Sequence, residues 1–333
     1  MSDHVRDSRM GSAHSLPLIA MQFFLRHFVR CTEFCLVCHC RLEDDLEALK
    51  PYVCDKPLCL YQYMSLGFGP SIEHEILSQP YVVDLLVSFC YTSAKSGQLK
   101  DFPQGLSLSV PPVADLRPAN FQPTYHGYGG DRVAPSPEDG ATAKPTAAQF
   151  DRYGLQLSFG DESVCPVKVG DWVAIRLGSE PVMHCRVSET AYFPTVKVSQ
   201  PVSTNAPEPT SGNAAANMPT PGSTTPSLNM AATPAPGFSP VSIWTYNVNF
   251  DGLPEWMKRS LICILLETLP SVKDMAQYLG KYASGSLSTW VDRISPAALG
   301  LLRWIIASNR SCIVQIDEPL SAGQEKHDNR LQK

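Results

Sequence analysis

Apolar positions in this chain follow a helical spacing near both ends and a strand-like alternation in the middle. From Leu18 to Val29 the run Leu-Ile-Ala-Met-Gln-Phe-Phe-Leu-Arg-His-Phe-Val sets Ile19, Met21, Phe23, Phe24, Leu25 and Phe28 at mixed helical spacings, which predicts a buried helix. Ser71 precedes a short helix over Ile72 to Leu77. Ser78 is positioned to cap a second, with Pro80 in its first turn and Val82, Val83, Leu85, Leu86 and Phe89 as its buried side. Between Asp101 and Ala148, prolines and glycines recur too often for long helices. Alternation then takes over at Leu155, Leu157 and Phe159, and continues in Val167–Leu177, Met183–Val187 and Tyr192–Val198, predicting four or so short strands. A stripe of Trp256, Leu261, Ile264 and Leu265 after Pro254 marks a helix that stops at Pro270. Ser271 and Asp274 frame a capping box for a helix through Tyr282. Ser295-Pro296 opens a third, with Leu299, Leu302, Trp304, Ile305 and Ile306 inward. Ser311 to Asp317 reads as a strand with no partner in the residues that remain.

These patterns imply an α+β chain: a mostly helical, cysteine-rich module, a small β module, a disordered linker and a C-terminal helical segment. The expected division is a disordered terminus at 1–14, a cysteine-rich helical module at 15–100, an irregular Pro/Gly-rich stretch at 101–149, the β module at 150–200, a linker at 201–241, the helical segment at 242–318 and a tail at 319–333. Residues 199–240 are almost wholly Pro, Ser, Thr, Ala, Asn and Gly, which bury too little apolar surface to offset their ordering entropy.

Composition narrows the function classes. The 333 residues carry 27 basic against 32 acidic side chains, a net −5, whereas a general nucleic-acid binder shows a basic stripe. Around the cysteines, Arg26, Arg30, Arg41, Lys50 and Lys56 are offset by Glu33, Glu43, Asp44, Asp45, Glu47 and Asp55, so nucleic acid is an unfavoured partner. The longest apolar runs, Leu16–Leu25 and Leu261–Leu266, fall short of the roughly 18 residues a spanning helix needs, so no membrane partner is expected. The N-terminal segment carries Asp3 and Asp7 beside its basic residues and shows no convincing cleavage site, which points to an intracellular protein, cytoplasmic or nuclear.

Six of the eleven cysteines lie between Cys31 and Cys59. Two close pairs, Cys35-x2-Cys38 and Cys54-x4-Cys59, stand fifteen residues apart, near the spacing of four-cysteine structural zinc sites, although the second gap is wider than usual. Thiolates on two tight turns can reach one ion about 2.3 Å from each sulfur and complete a tetrahedron. Buried reduced thiols, disulfides and a redox pair are the other readings. Disulfides are disfavoured in a reducing compartment, and no thioredoxin-like strand-to-helix pattern surrounds Cys35-x2-Cys38. Cys35, Cys38, Cys54 and Cys59 are therefore the expected ligands of a closed structural zinc that stabilises the helical module, with Cys31, His39 and Cys40 open as substitutes. His74-Glu75 lacks the second histidine of a metal-binding helix, since Ser78 stands there. The aromatic stretch Leu60 to Pro70 reads as shielding for the metal turns, with a base-stacking platform as the alternative. Tyr125 to Gly130 neither follows a strand nor opens a helix, which makes it a turn rather than a phosphate loop.

Three stretches together resemble a known arrangement. They are Met21 to Cys59, Val53 to Thr92 with its Leu-Cys-Leu-Tyr-Gln-Tyr-Met-Ser-Leu-Gly-Phe-Gly core, and Leu287-Ser-Thr-Trp-Val-Asp-Arg-Ile-Ser-Pro-Ala-Ala-Leu running on through Leu-Leu-Arg-Trp-Ile-Ile-Ala-Ser-Asn-Arg-Ser-Cys-Ile-Val-Gln. They are similar to the region upstream of the catalytic domain in poly(ADP-ribose) polymerase-like proteins of fungi, some of which carry a ubiquitin-conjugating domain. The resemblance covers roughly half of the chain and implies relatives that transfer ADP-ribose from NAD to proteins, with Trp290 to Ile306 buttressing the NAD site. It also implies a transferase domain after Ile316, with a His-Gly pair, a tyrosine for nicotinamide and a later glutamate. Only seventeen residues follow Ile316, His126-Gly127 lies upstream in a proline-rich loop, and no His-Pro-Asn segment precedes a cysteine. No catalytic or NAD-binding residue carries over. The expectation is the non-catalytic, zinc-binding part of such a transferase, from a truncated gene model, a splice product or a relative that has lost the domain. NAD enters only if a transferase is present, and protein partners or that domain would dock on the chain. The alternative is a free-standing zinc-dependent adaptor for protein partners.

Overall fold

The computed structural model describes residues 15–42, 52–112, 144–160, 164–178, 180–204, 237–281 and 285–313. The expected terminus at 1–14, the turn at Tyr125–Gly130 with His126-Gly127, most of the Pro/Ser/Thr/Ala stretch, the end of the Ser311–Asp317 strand and the tail at 319–333 lie outside these residues. The described parts hold both helices and sheet, an α+β architecture: seven α-helices and two sheets.

The helices are α1 (Leu16–Val29), α2 (Pro57–Ser65), α3 (Ile72–Ser78), α4 (Pro80–Lys95), α5 (Glu255–Thr268), α6 (Val272–Lys281) and α7 (Pro296–Ser308). Local chemistry places their starts. The Ser71 hydroxyl accepts from the His74 N–H at 3.3 Å, and that of Ser295 accepts from Ala298 N–H at 3.1 Å, with Pro296 just inside α7. At α6 the Ser271 hydroxyl accepts from Asp274 N–H at 3.1 Å and donates to its carboxylate at 2.7 Å. The expected cap at Ser78 is displaced: Gln79 is the N-cap of α4, because the Ser78 hydroxyl donates backwards to the His74 carbonyl at 2.7 Å.

Strands β2 (Thr146–Asp151), β3 (Gln156–Ser158), β4 (Trp172–Arg176), β5 (Met183–Glu189), β6 (Thr195–Val198), β7 (Val202–Ser203) and β8 (Ser239–Thr245) form one antiparallel sheet. Its order is β4-β8-β2-β3-β6-β5, and β5 pairs back onto β4, so six strands close into a barrel, with β7 extending the β6 side of β5. The β module is thus larger than the four or so strands that alternation suggested. Its first and last strands come from either side of the expected boundaries, because closure draws in Thr146–Asp151 and Ser239–Thr245. Phe150, Leu157, Phe159, Val173, Ile175 and Ile243 fill the interior. The outer face of β4 and β8 is also covered: Ala174, Val182 and Trp244 pack with Tyr246 and with Ile264 of α5. Burial on both faces explains why β4 reads Trp-Val-Ala-Ile with little alternation.

The chain enters and leaves the barrel through a two-stranded ribbon. Ser109 and Val110 (β1) pair with Asn249 and Val248 (β9), and Phe250 N–H donates to the Leu108 carbonyl at 3.0 Å. The barrel is therefore an insertion in a helical layer. That layer corrects the expectation of two separate helical modules: Ile72, Ile76, Val83 and Cys90 share one core with Leu261, Leu265, Leu302 and Ile305. The apolar sides of α3 and α4 exceed what a two-helix pair can bury, and α5–α7 supply the missing cover. Gly300 on α7 makes the closest approach possible, since a Cβ there would stand 2.7 Å from Leu108 Cδ2.

Helix α1 is a second correction. It forms as expected, yet Leu16 is 76%, Phe23 60%, Phe24 60% and Phe28 67% exposed, so it is not a buried helix. Its apolar residues spread around the whole circumference and offer the layer no single face to dock.

Candidate metal centre

Two dissimilar pieces of backbone build the site. In the first, Cys31–Glu33 make a 3-10 turn, Phe34 and Arg41 form an antiparallel bridge, and the chain reverses between them. Cys35 N–H donates to the Cys40 carbonyl and His39 N–H to the Cys35 carbonyl, both at 3.0 Å, with His39 in the left-handed region at φ 56°. This tight turn presents Cys35 and Cys38 on one side. In the second piece, Leu36 N–H donates to the Tyr52 carbonyl at 3.2 Å, which aligns the extended Tyr52–Cys54 segment alongside the turn. Pro57 then opens α2, and Cys59 lies in its first turn with its N–H bonded to the Lys56 carbonyl at 2.9 Å. The wide Cys54-x4-Cys59 gap is the length of a bend plus the entry into a helix, in place of a second tight turn.

The structure brings together Cys35, Cys38, Cys54 and Cys59, whose sulfur atoms all lie within 4.8 Å of one another. Cys31, His39 and Cys40 stand outside that group. Sulfurs 2.3 Å from a central ion at tetrahedral angles are about 3.8 Å apart, and the Cys38 and Cys54 sulfurs are separated by 3.8 Å. Backbone donors are already aimed at the site: Cys54 N–H lies 3.3 Å and Val37 N–H 3.5 Å from the Cys35 sulfur, contacts that stabilise a thiolate. The Cys40 backbone N–H, helped by neighbouring thiols, pulls Cys38 down to about 6. Burial pushes the Cys54 and Cys59 thiols up, and the nearby sulfurs of Cys40, Cys38 and Cys54 raise the Lys56 ammonium. Four convergent sulfurs at these spacings fit a soft divalent metal such as zinc, whose charge would favour the thiolates that burial opposes. Val53, Leu60 and Tyr63 pack around the sulfurs, which is the shielding expected of the Leu60–Pro70 stretch.

A polar constellation at the barrel–helix junction was not foreseen. His184 of β5 is fully buried, and its Nδ1 shares a 2.8 Å hydrogen bond with the Tyr246 hydroxyl. Desolvation lowers His184 to about 4. His184 and Trp244 flank Ala174 across the sheet, and His184 Nε2 and Trp244 Nε1 are buried without partners among the described residues. A histidine inside Met183–Val187 was the only signal, and alternation alone placed it on neither an open nor a closed face.

No family model matches the chain, and no solved structure matches it. A segment of 65 residues is 35% identical to the protein mono-ADP-ribosyltransferase PARP8 of Mus musculus and to that of Homo sapiens. The match covers 19% of this chain and 8% of each of those proteins, so the chain spans a small fraction of the curated relatives it matches. The relationship this supports is a partial, PARP-like one. Among the described residues, no helix is long and apolar enough to cross a membrane.

Proposed function

We propose that this chain is the non-catalytic, zinc-binding portion of a PARP-like ADP-ribosyltransferase, kin to the fungal proteins its motifs resemble. In this reading Cys35, Cys38, Cys54 and Cys59 hold one structural zinc, and the ion supplies cross-linking of the tight turn to α2 rather than chemistry. The observation that carries the metal part is the convergence of the four sulfurs within 4.8 Å of one another. The transferase part is supported by the 35% identical segment shared with PARP8. No residue here is assigned a catalytic role. Transfer of ADP-ribose from NAD would belong to a transferase domain of the full-length protein, against which α7 and the turn around Trp290 would pack.

Elemental mass spectrometry of the purified chain, with a thiol count before and after chelation, tests the first part. About one zinc per chain with four thiols released on chelation is the expected result; no metal and freely reacting thiols would sink it. Sequencing the transcript beyond the codon for Lys333 tests the second. An in-frame transferase whose product labels proteins from biotinylated NAD is expected.

A specific observation favours a second reading, a zinc-dependent adaptor for protein partners. Tyr81, Leu85 and Phe89 form an exposed i, i+4 stripe along α4, on the side away from the shared core. Retention of zinc in a chain whose transcript ends at Lys333 would select this reading.

A further inference from the structure

Beside the metal turn the chain encloses a cavity of about 540 Å³. One wall is the Tyr52–Pro57 segment with α2, and the other is residues 100–106 with the C-terminal end of α7. Its lining includes five aromatic side chains, Tyr52, Tyr61 and Tyr63, Phe102 and Trp304, set among aliphatic ones. Three carboxylates, Asp55, Glu75 and Asp101, also line it, and none has a hydrogen-bond or ion-pair partner among the described residues. Two cations share the lining. Arg310 is already engaged, its guanidinium lying 5.9 Å from the Tyr52 ring centroid, which leaves Lys100 as the other cation of the lining; Lys258 and Arg259 lie over the Phe102 ring, with Arg259 held by Glu255 and the Leu99 carbonyl.

Aromatic faces with uncompensated carboxylates suit a cation that can lie flat on a ring and donate from its edge. That describes a guanidinium more closely than an ammonium. Arg310 on Tyr52 is the same contact made by the chain itself, and Arg259 on Phe102, 5.5 Å from the centroid, is another. We propose that this cavity is a binding site for the arginine side chain of a peptide segment. Cys54 and Asp55 place one wall of the cavity beside the candidate metal centre, yet the proposal stands on the lining itself and depends on neither the zinc nor the ADP-ribosyltransferase reading.

The test is calorimetric titration of the full chain with acetyl-Gly-Arg-Gly-amide. The controls are the same peptide with citrulline for arginine, which keeps the planar group but loses its charge, the same peptide with glutamate, and free argininamide. Saturable binding of the arginine peptide is expected, with the citrulline and glutamate peptides at least about tenfold weaker. The double substitution Glu75→Gln with Asp101→Asn should weaken the arginine peptide by about tenfold while zinc content and the thermal midpoint stay unchanged. Absence of saturable binding, indifference to the double substitution, or preference for the glutamate peptide would overturn the proposal. Argininamide binding as tightly as the peptide would overturn the peptide assignment and give the site to a small free cation. Arginine-peptide binding by a chain that proves to hold no zinc would leave this proposal standing while the metal reading fails, so the two are separable.

Discussion

Cys38 and Cys54 come from different pieces of backbone, and their 3.8 Å separation is what a shared ion would impose. Cys38→Ser or Cys54→Ser should therefore reduce zinc to well below one per chain, as read by elemental mass spectrometry. Hydrogen exchange should show residues 31–65 losing protection, while α3 and α4 keep theirs, because their core partners are Leu261, Leu265 and Leu302 and not the metal turn. Loss of protection through residue 95 would mean that the metal holds more than its own turns. Leu265 illustrates the ordinary core: it is fully buried, and Leu265→Ala should cost about 2–5 kcal/mol in chemical denaturation. His184 carries the pH dependence. Burial lowers its folded value to about 4, so the unfolded chain takes up a proton first as pH falls below about 6.5. Stability from this group is complete above that value and fades toward pH 4. Between pH 7 and pH 5 the loss should be about 2 kcal/mol in denaturant melts, and His184→Gln, which keeps a polar group for Tyr246, should flatten it.

At the level of elements, caps and prolines marked most helix starts correctly, since Ser71, Ser271 and Ser295 act through neighbours within three residues. What such signals leave open is whether an apolar helix finds cover. α4 does on one side only, and α1 does so hardly at all. Because α1 leaves most of its apolar surface in solvent, deleting residues 1–29 should leave the thermal midpoint of the remainder essentially unchanged and improve its solubility. A marked fall in the midpoint would show that α1 docks on the layer. The strands teach a related lesson: β4, buried on both faces, lacked alternation, while β2 and β8 were hidden by flanking sequence rich in Pro, Ala and Thr.

For the whole molecule, the organising fact is that one helical core is assembled from residues on both sides of an inserted barrel. A fragment ending at residue 112 would expose Ile72, Ile76, Val83 and Cys90, and should be unfolded by circular dichroism even when zinc is supplied. Co-expression with residues 246–313 should rescue it, because the missing cover lies on α5–α7. Helical, cooperative unfolding of the fragment alone would refute the shared core.

The sequence by itself determined what depends on near neighbours: the caps of α3, α6 and α7, the alternating barrel strands, and the spacing within each of the two cysteine pairs. Spacing within a few residues sets hydrogen-bond reach and face, so such features are legible without any knowledge of the fold. Only the tertiary structure decided which cysteines converge, that β2 and β8 close a barrel, that α3 and α4 belong with α5–α7, and that His184 is buried at the junction. Each of these joins residues separated by long stretches of chain, and hydrophobic burial, being non-directional, specifies that an apolar face must be covered without specifying by what.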